Sequence, residues 1–436
     1  MELDAARHIR YFKRCYSAVL PHHYTANDSS RLSLGYFIVA GLDILSSPSS
    51  YTASPDSKSK PPPSLLTSKD RYRLRKWVLS LQHRGGGFCG SPQHVFPDEL
   101  LPNGPVTDPE NANIAATYFA LMLLAIVAED PKEPSKDIPL DIYINVNRVA
   151  TLRWLKSLQR EDGSFGEILK PDGTVGGGRD MRYAYMAAVI RWVLGGDQAD
   201  SGLDFNVDKF VSHIKRSQTF DGGIAESSMG ESHAGYSYCA VAALSMLDLT
   251  AEDEENPNKY LKAGIPNIPA LVHYLVSRQF VYTEETDDED DETEPSNTPA
   301  PDIASLSLED HSVAGFSGRP NKIPDTCYTW WVAGALDLLS DAFEGPTRVD
   351  QASGKQFLLE KTQHVIGGFG KNAGKPPDVY HAYLGLAALA TMAGDEQEAG
   401  LGLFNVRLCI GKEAANRVAI GRKEILQKAA LDAAED

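Results

Sequence analysis

The sequence predicts an all-α protein built from repeated helical pairs, and three observations carry that prediction. A motif recurs in which a helix ends near a Gln, passes a Gly-rich turn with one bulky apolar residue, and leads across a polar gap to a second helix rich in Tyr, Ala and Leu. Both helices of each pair carry apolar residues at i, i+3 and i+4. Gly clusters stop the chain between them.

Taken in order, WVLSLQHRGGGF (77–88) leads to TYFALMLLAIV, WLKSLQREDGSF (154–165) to YAYMAAVIRWVL, and HIKRSQTFDGGI (213–224) to YSYCAVAALSML. The fourth copy, YLVSRQF (274–280), is broken by an acidic stretch and resumes at VAGF before YTWWVAGALDLL; the fifth, FLLEKTQHVIGGF (357–369), leads to HAYLGLAALATM. Their turn residues are Phe88, Phe165, Ile224, Phe316 and Phe369, spaced by about one helical pair once insertions are removed, as a stacked or ring-closed array requires. SRLSLGYFIVAGLDILSS (30–47) reads as a further helix of the same kind without its partner turn. The whole chain, 1–436, is expected to form one domain.

Two segments fall outside the pattern. Residues 46–64 are rich in Ser and Pro, and residues 283–312 are acidic and then Pro- and Ser-containing; neither can bury enough apolar surface to offset ordering entropy, so both are expected to be disordered loops. Asp287-Asp288-Glu289-Asp290-Asp291 spells the DDxxD pattern of magnesium-diphosphate binding. It lies in a low-complexity tract with no helix to converge its carboxylates, and is read as a solvated charge run.

Lys plus Arg is 42 and Asp plus Glu is 59, a formal charge of −17, which argues against a nucleic-acid-binding surface. Much of the excess is local, nine carboxylates in the eleven residues 284–294, so a basic pocket elsewhere is compatible with the total. Cys15, Cys89, Cys239, Cys327 and Cys409 are scattered, odd in number and without a CxxC pair, which fits a reducing cytoplasm. No apolar run reaches the length of a membrane span, and the charged MELDAARHIRYFKRC lacks a signal-like apolar region.

The candidate chemistry lies in the last three repeats, which share one register. Counting from the turn residue, position nine is His233, Asp325 or Asp378, position eleven is Gly235, Cys327 or Tyr380, and position twelve is Tyr236, Tyr328 or His381. All fall at the entry of a second helix, so a ring of such helices would bring Asp325, Cys327 and His381 around one cavity mouth. One carboxylate, one thiolate and one imidazole make a three-ligand zinc site with an open fourth position. Each also has a plainer reading: Asp325 as a helix N-cap, Cys327 as a small buried hydrophobe, His381 as a capping or core histidine. Arg319, Lys322, His233 and Lys371 make the same mouth basic, suited to a phosphate or diphosphate beside helix N-termini, or else are ordinary surface cations. The aromatic faces (Tyr183, Tyr185, Trp192, Tyr236, Tyr238, Trp330, Trp331) either line an apolar tunnel or are core.

DTCYTWW, YHAYLGL, GFSGRPNK and ESHAGYSYC, in their order here, resemble the β subunits of the protein prenyltransferases over nearly the whole chain outside the insertions. The resemblance implies an α/α toroid (an α6-α6 barrel), an obligate helical-repeat α subunit, and prenyl transfer to a cysteine thiol in the cytoplasm. It implies one zinc on Asp325, Cys327 and His381, and a diphosphate held by His233, Arg319, Lys322 and Tyr328. It places Arg182 near lipid and peptide, and assigns Ser33, Phe37, Asn113, Ala115, Tyr183, Tyr185, Gly235, Tyr236, Trp331 and Tyr380 to the substrates. Zinc would bind the substrate thiol and lower its pKa, with no side chain needed as general base.

Within that family the type I geranylgeranyl enzymes are the nearest fit. Ser33 stands where farnesyl enzymes have a pocket-closing tryptophan, leaving room for geranylgeranyl diphosphate. Lys371 stands where they have a magnesium-binding aspartate, so magnesium is expected to be dispensable. The substrates implied are CaaX proteins, the CaaL ends of Rho-type small GTPases in particular. Asn113 in place of a histidine, and Tyr380 in place of a smaller residue, depart from the type I peptide pocket. Farnesyl and then Rab-type β subunits are the alternatives within the family. A scaffold toroid, or a glycan-processing enzyme using Asp325 with Asp378, is the alternative outside it.

Overall fold

Helices alternate between an outer and an inner layer along almost the whole chain. In the computed structural model, which describes residues 2–46, 64–94, 96, 111–129, 141–198, 202–250, 256–282, 313–340, 342–343, 349–394 and 400–435, the pairs begin with α1 (Ala5–Ser17) and α2 (Arg31–Leu45), α3 (Ser68–Ser80) and α4 (Ile114–Ile126), and α5 (Arg148–Ser157) and α6 (Met181–Val193). They continue with α7 (Val207–Arg216) and α8 (Ala234–Asp248), the short α9 (Lys259–Gly264), then α10 (Ile268–Val276) and α11 (Thr326–Leu339). The last pair is α12 (Gln351–Gln356), running on as a π turn, Phe357–Thr362, with α13 (Val379–Ala393); α14 (Lys412–Glu435) ends the chain. Segment 47–63, the acidic segment 283–312 and its DDxxD-like run lie outside the described residues.

The inner helices pack in the order α2, α4, α6, α8, α11, α13 and back to α2, a closed ring of six. Their sequences explain the placement. A helix such as α4, IAATYFALMLLAI, is apolar on every face and buried on nearly all of them, so it belongs between neighbours and not on a surface. Outer helices α1, α3, α5, α10 and α12 back onto α2, α4, α6, α11 and α13. The all-α toroid expected from the sequence is the fold observed.

The recurring Gln has a structural job that its spacing alone does not reveal. Gln82, Gln159, Gln218, Gln279 and Gln363 each reach to the next repeat, where the side-chain oxygen accepts from the backbone N–H of Asn147, Asn206, Asn267, Asp350 and Asp4, at 2.7 to 3.1 Å. Each also bridges back to its own turn residue, including Gln279 with Phe316 across the acidic insertion. The turn residues are buried. Gly86, Gly163, Gly222 and Gly367 have positive φ, and a Cβ on any of them would meet a carbonyl oxygen of the following outer helix at 2.0 to 2.4 Å.

The first pair is where the structure adds to the sequence reading. The helix at 30–47 does have a partner, α1, and the last repeat reaches α1 as each repeat reaches the next: Gln363 Oε1 accepts from Asp4 N–H and faces His8 Nε2, while His8 stacks on Phe369 at 4.8 Å. The ring therefore closes through its N-terminal helix.

The lumen is plugged by residues Val406–Cys409. Tyr36 and Tyr383 donate to the Cys409 carbonyl, Tyr118 to Leu408, Tyr185 to Arg407 and Tyr238 to Val406, at 2.6 to 3.1 Å. Five inner helices thus hold one short segment, since a buried phenol needs an acceptor and the plug's carbonyls need donors.

Candidate active site at the toroid mouth

The inner helices begin on one rim, where the first turns of α4, α8 and α11 are tied to the next repeat: Ile114 N–H donates to Glu167 O, Ala234 N–H to Gly318 O and Thr326 N–H to Lys371 O. In five of the six, α4, α6, α8, α11 and α13, the N-caps are Asn113, Asp180, His233, Asp325 and Asp378, and each side chain accepts from a first-turn amide. The capping reading of Asp325 is therefore correct as far as it goes; capping and ligation are compatible because a carboxylate has lone pairs for both.

Asp325, Cys327 and His381 come together here, with one donor atom from each inside a group spanning 4.8 Å. The His381 ring is held between two carboxylates, Nδ1 at 2.5 Å from Asp378 Oδ2 and Nε2 at 3.3 Å from Asp325 Oδ1. With its proton on Nδ1, facing Asp378, the lone pair on Nε2 is directed to the cluster. That is the carboxylate–histidine arrangement of metal ligands. Burial opposes ionisation of His381, yet its hydrogen bonds to both carboxylates hold it up at about 9. Burial pushes the Cys327 thiol well up, while Asp325, despite its burial, is held below the carboxylate range by His381. A dication would reverse the first two effects, favouring thiolate and neutral imidazole. Zinc holds N, O and S donors at about 2.0–2.3 Å, which needs ligand separations of roughly 3–4 Å. The residues present fit it.

The imidazole standing between Asp325 and Asp378 leaves no sugar or water between that pair, so the glycosidase arrangement is not supported. Sequence reasoning missed Asp378 as the group orienting His381. Its signal was present, a carboxylate three residues before a helical histidine.

His233 lies across the mouth. Its Nδ1 accepts from Gly235 N–H at 3.0 Å, so Nε2 carries the proton and faces the Tyr328 hydroxyl at 3.0 Å. Burial, with Arg319 and Arg182 beside it, lowers its pKa to about 4, so the ring is a neutral N–H donor at pH 7. A Cβ on Gly235 would press on the His233 ring at 3.1 Å. Tyr328 crosses Gly318 so closely that a Cβ there would sit 2.2 Å from its ring. Tyr274, which sequence reasoning also missed, donates to the Gly318 carbonyl at 3.2 Å and holds this loop.

The cations are less uniform than their spacing suggests. Arg319 is partly exposed and paired with Glu231 at 2.7 Å, and Arg182 is paired with Asp180, the α6 N-cap, at 2.5 Å. Lys322 and Lys371 are exposed and line one cleft together.

The remaining predicted residues spread around the lumen. Ser33, Phe37, Ala115, Tyr183, Tyr236, Trp331 and Tyr380 are half-buried on α2, α4, α6, α8, α11 and α13. Phe37 meets Tyr380 edge-on at 5.3 Å, and Trp331 Nε1–H donates to the Tyr380 hydroxyl at 3.3 Å. Asn113 and Tyr185 are buried, the first as the α4 N-cap and the second holding the plug. Of the other aromatics, Tyr238 and Trp330 are core, and Trp192 lies under Arg422 at 5.2 Å. Among the described residues no helix is long and apolar enough to cross a membrane.

Comparison with known proteins agrees with this architecture. The prenyltransferase alpha-alpha toroid domain matches residues 3–410. A geranylgeranyl transferase type-1 subunit beta of Arabidopsis thaliana is 28% identical over 398 residues, covering 88% of this chain and 84% of that protein. The Dictyostelium discoideum protein of the same name is 26% identical over 405 residues, 87% and 88% of the two chains. A protein farnesyltransferase subunit beta of Pyricularia oryzae is 27% identical over 413 residues, 89% of this chain and 63% of that one. The solved Candida albicans protein geranylgeranyltransferase-I complexed with GGPP superposes with a TM-score of 0.70 over 97% of this chain and 100% of that one; at 24% identity, this speaks to the fold. With a match over almost its full length to that domain, the chain belongs to the prenyltransferase alpha-alpha toroid family.

Proposed function

We propose that this chain, as one toroidal domain, is the catalytic β subunit of a heterodimeric, zinc-dependent protein prenyltransferase of the cytoplasm. In this reading it pairs with a prenyltransferase α subunit and transfers geranylgeranyl from geranylgeranyl diphosphate to the cysteine of C-terminal CaaX motifs, the CaaL ends of Rho-type GTPases in particular. The observation that carries it is the Asp325, Cys327 and His381 cluster opening on the same mouth as His233 and Tyr328. Family membership supports the reaction class, and the type-1 relatives support the lipid.

Bound zinc would supply a position for the substrate thiol and lower its pKa. The chain's own residues do the rest. Asp378 keeps His381 in the ligating tautomer. His233 Nε2–H and the Tyr328 hydroxyl donate to the departing diphosphate, and Arg319, Lys322 and Lys371 offset its charge, Arg319 by exchanging Glu231 for phosphate. The half-buried faces around Ser33, Phe37 and Tyr183 shelter the lipid from water, down to the plug.

Farnesyl transfer is the second reading, favoured by Tyr380, whose ring fills space between Phe37 and Trp331 beside His381. The test is co-expression with an α subunit, followed by competition between the two lipids on CaaX peptides. Geranylgeranyl preference is expected; a farnesyl preference would transfer the assignment.

A further inference from the structure

We propose that α14 is a strap that seats the lumen plug, and that releasing its two buried arginines frees Val406–Cys409 from the lumen while the rest of the ring stands. α14 lies beyond residues 3–410, the stretch matched by the toroid domain. It runs past the last turns of α4 and α6, at the end of the ring opposite the mouth.

Tyrosine hydroxyls position the plug, yet its own backbone is strained. Cys409 has a left-handed φ of 54°, a costly conformation for any residue but glycine. Phe404–Asn405 pairs with Ile410–Gly411 on either side of the plug, and a ladder of two residues per strand is too short to be stable alone. Lys412 N–H, the first of α14, donates to Leu403 O at 2.8 Å. Hairpin, plug and helix are therefore one continuous unit.

That unit is anchored by two arginines five residues apart on α14. Arg417 Nε donates to Ala125 O at 2.8 Å and its Nη2 to Ile126 O at 3.3 Å, both at the end of α4, and Nη2 lies 3.5 Å from Asp43 Oδ1 on α2. Arg422 does the same for α6, donating to Trp192 O, lying over the Trp192 ring at 5.2 Å and forking onto Asp197 at 3.0 and 2.6 Å. The four side chains are 7 to 15% exposed. A cation at a helix C-terminus meets orphan carbonyls, and breaking a buried pair strands the charge of the partner left behind. The fit is close. A Cβ on Gly411 would meet Asp43 Oδ2 at 3.1 Å, and one on Gly421 the Tyr143 ring at 2.6 Å.

Cys409 reports the state of the plug. While seated it is buried, and burial pushes its thiol well above the usual range, which makes it inert. The strap does not depend on the transferase reading, so the test needs no substrate.

The test is alkylation of the full chain, in the assembly in which it purifies, with N-ethylmaleimide, each cysteine being followed by peptide mass spectrometry. In the wild type Cys409 should label as slowly as the buried Cys89 and Cys239. With Arg417→Gln and Arg422→Gln combined, Cys409 should label at least roughly tenfold faster while Cys89 and Cys239 stay protected, the signature of a local opening. Arg422→Lys keeps the charge and loses the fork, so it should give a smaller rise at Cys409 alone, and it decides the matter if the double variant does not fold. Cys409 labelling that does not change in a folded variant would overturn the strap. So would all three thiols opening together, since α14 would then be one part of a single cooperative fold.

Discussion

His381 Nδ1 lies 2.5 Å from Asp378 Oδ2, which makes the N-cap of α13 the residue that aims its own helix's imidazole. Asp378→Asn keeps a capping side chain but removes the charge that favours the Nδ1–H tautomer. Zinc affinity should fall about 10- to 100-fold, with helical circular dichroism unchanged. Metal competition titration reads this, and unaltered affinity would leave Asp378 a cap alone.

Ser33 is half-buried one turn before Phe37 on α2, and Phe37 meets Tyr380 of the neighbouring α13. Ser33→Trp would fill that volume and should shift lipid preference toward farnesyl diphosphate by at least about tenfold in relative kcat/KM. Unchanged preference would place the length gauge elsewhere, with the plug at Val406–Cys409 the next residues to vary.

His8 ties the last repeat to the first. Its Nδ1 accepts from Gly368 N–H at 3.1 Å and its Nε2 faces Gln363 Oε1 at 2.9 Å, while burial lowers its pKa to about 4. Between about 6.5 and 4 the unfolded chain binds the proton that the folded one refuses, so stability is full above that window and falls as pH drops through it. The loss from His8 is on the order of 2 kcal/mol at pH 5. Denaturant melts at pH 7 and 5 should show it, and His8→Gln should flatten the dependence.

The repeat was legible in the sequence because its period is written in residues of fixed chemistry, the Gln, the positive-φ glycine and the buried turn residue. The site was legible because Asp325, Cys327 and His381 keep the register of those turns. What stayed hidden depends on ring closure. Nothing near Asp4 says that Gln363 reaches it, and nothing in the tyrosines at the register of Tyr238 says that their hydroxyls converge on Val406–Cys409. The pairing of Arg319 with Glu231 was equally invisible, since spacing reports which residues are near and not which of their neighbours they choose.

Lys371 is exposed at the edge of the mouth, with its carbonyl fixed by Thr326 N–H at 2.9 Å. Wild-type turnover should be insensitive to millimolar magnesium, the ammonium standing in for the ion. Lys371→Asp should slow transfer in magnesium-free buffer and regain part of the rate when magnesium is added. A wild-type kcat that climbs steeply with magnesium would count for the farnesyl-type reading.

The central claim is that Asp325, Cys327 and His381 hold one catalytic zinc. The direct measurement is zinc content per chain, alongside single-turnover geranylgeranyl transfer, for the α-paired wild type and Cys327→Ala. The account predicts one equivalent of zinc in the wild type, and in the variant little metal and no transfer with helical content intact. Full zinc occupancy together with undiminished transfer in Cys327→Ala would contradict it.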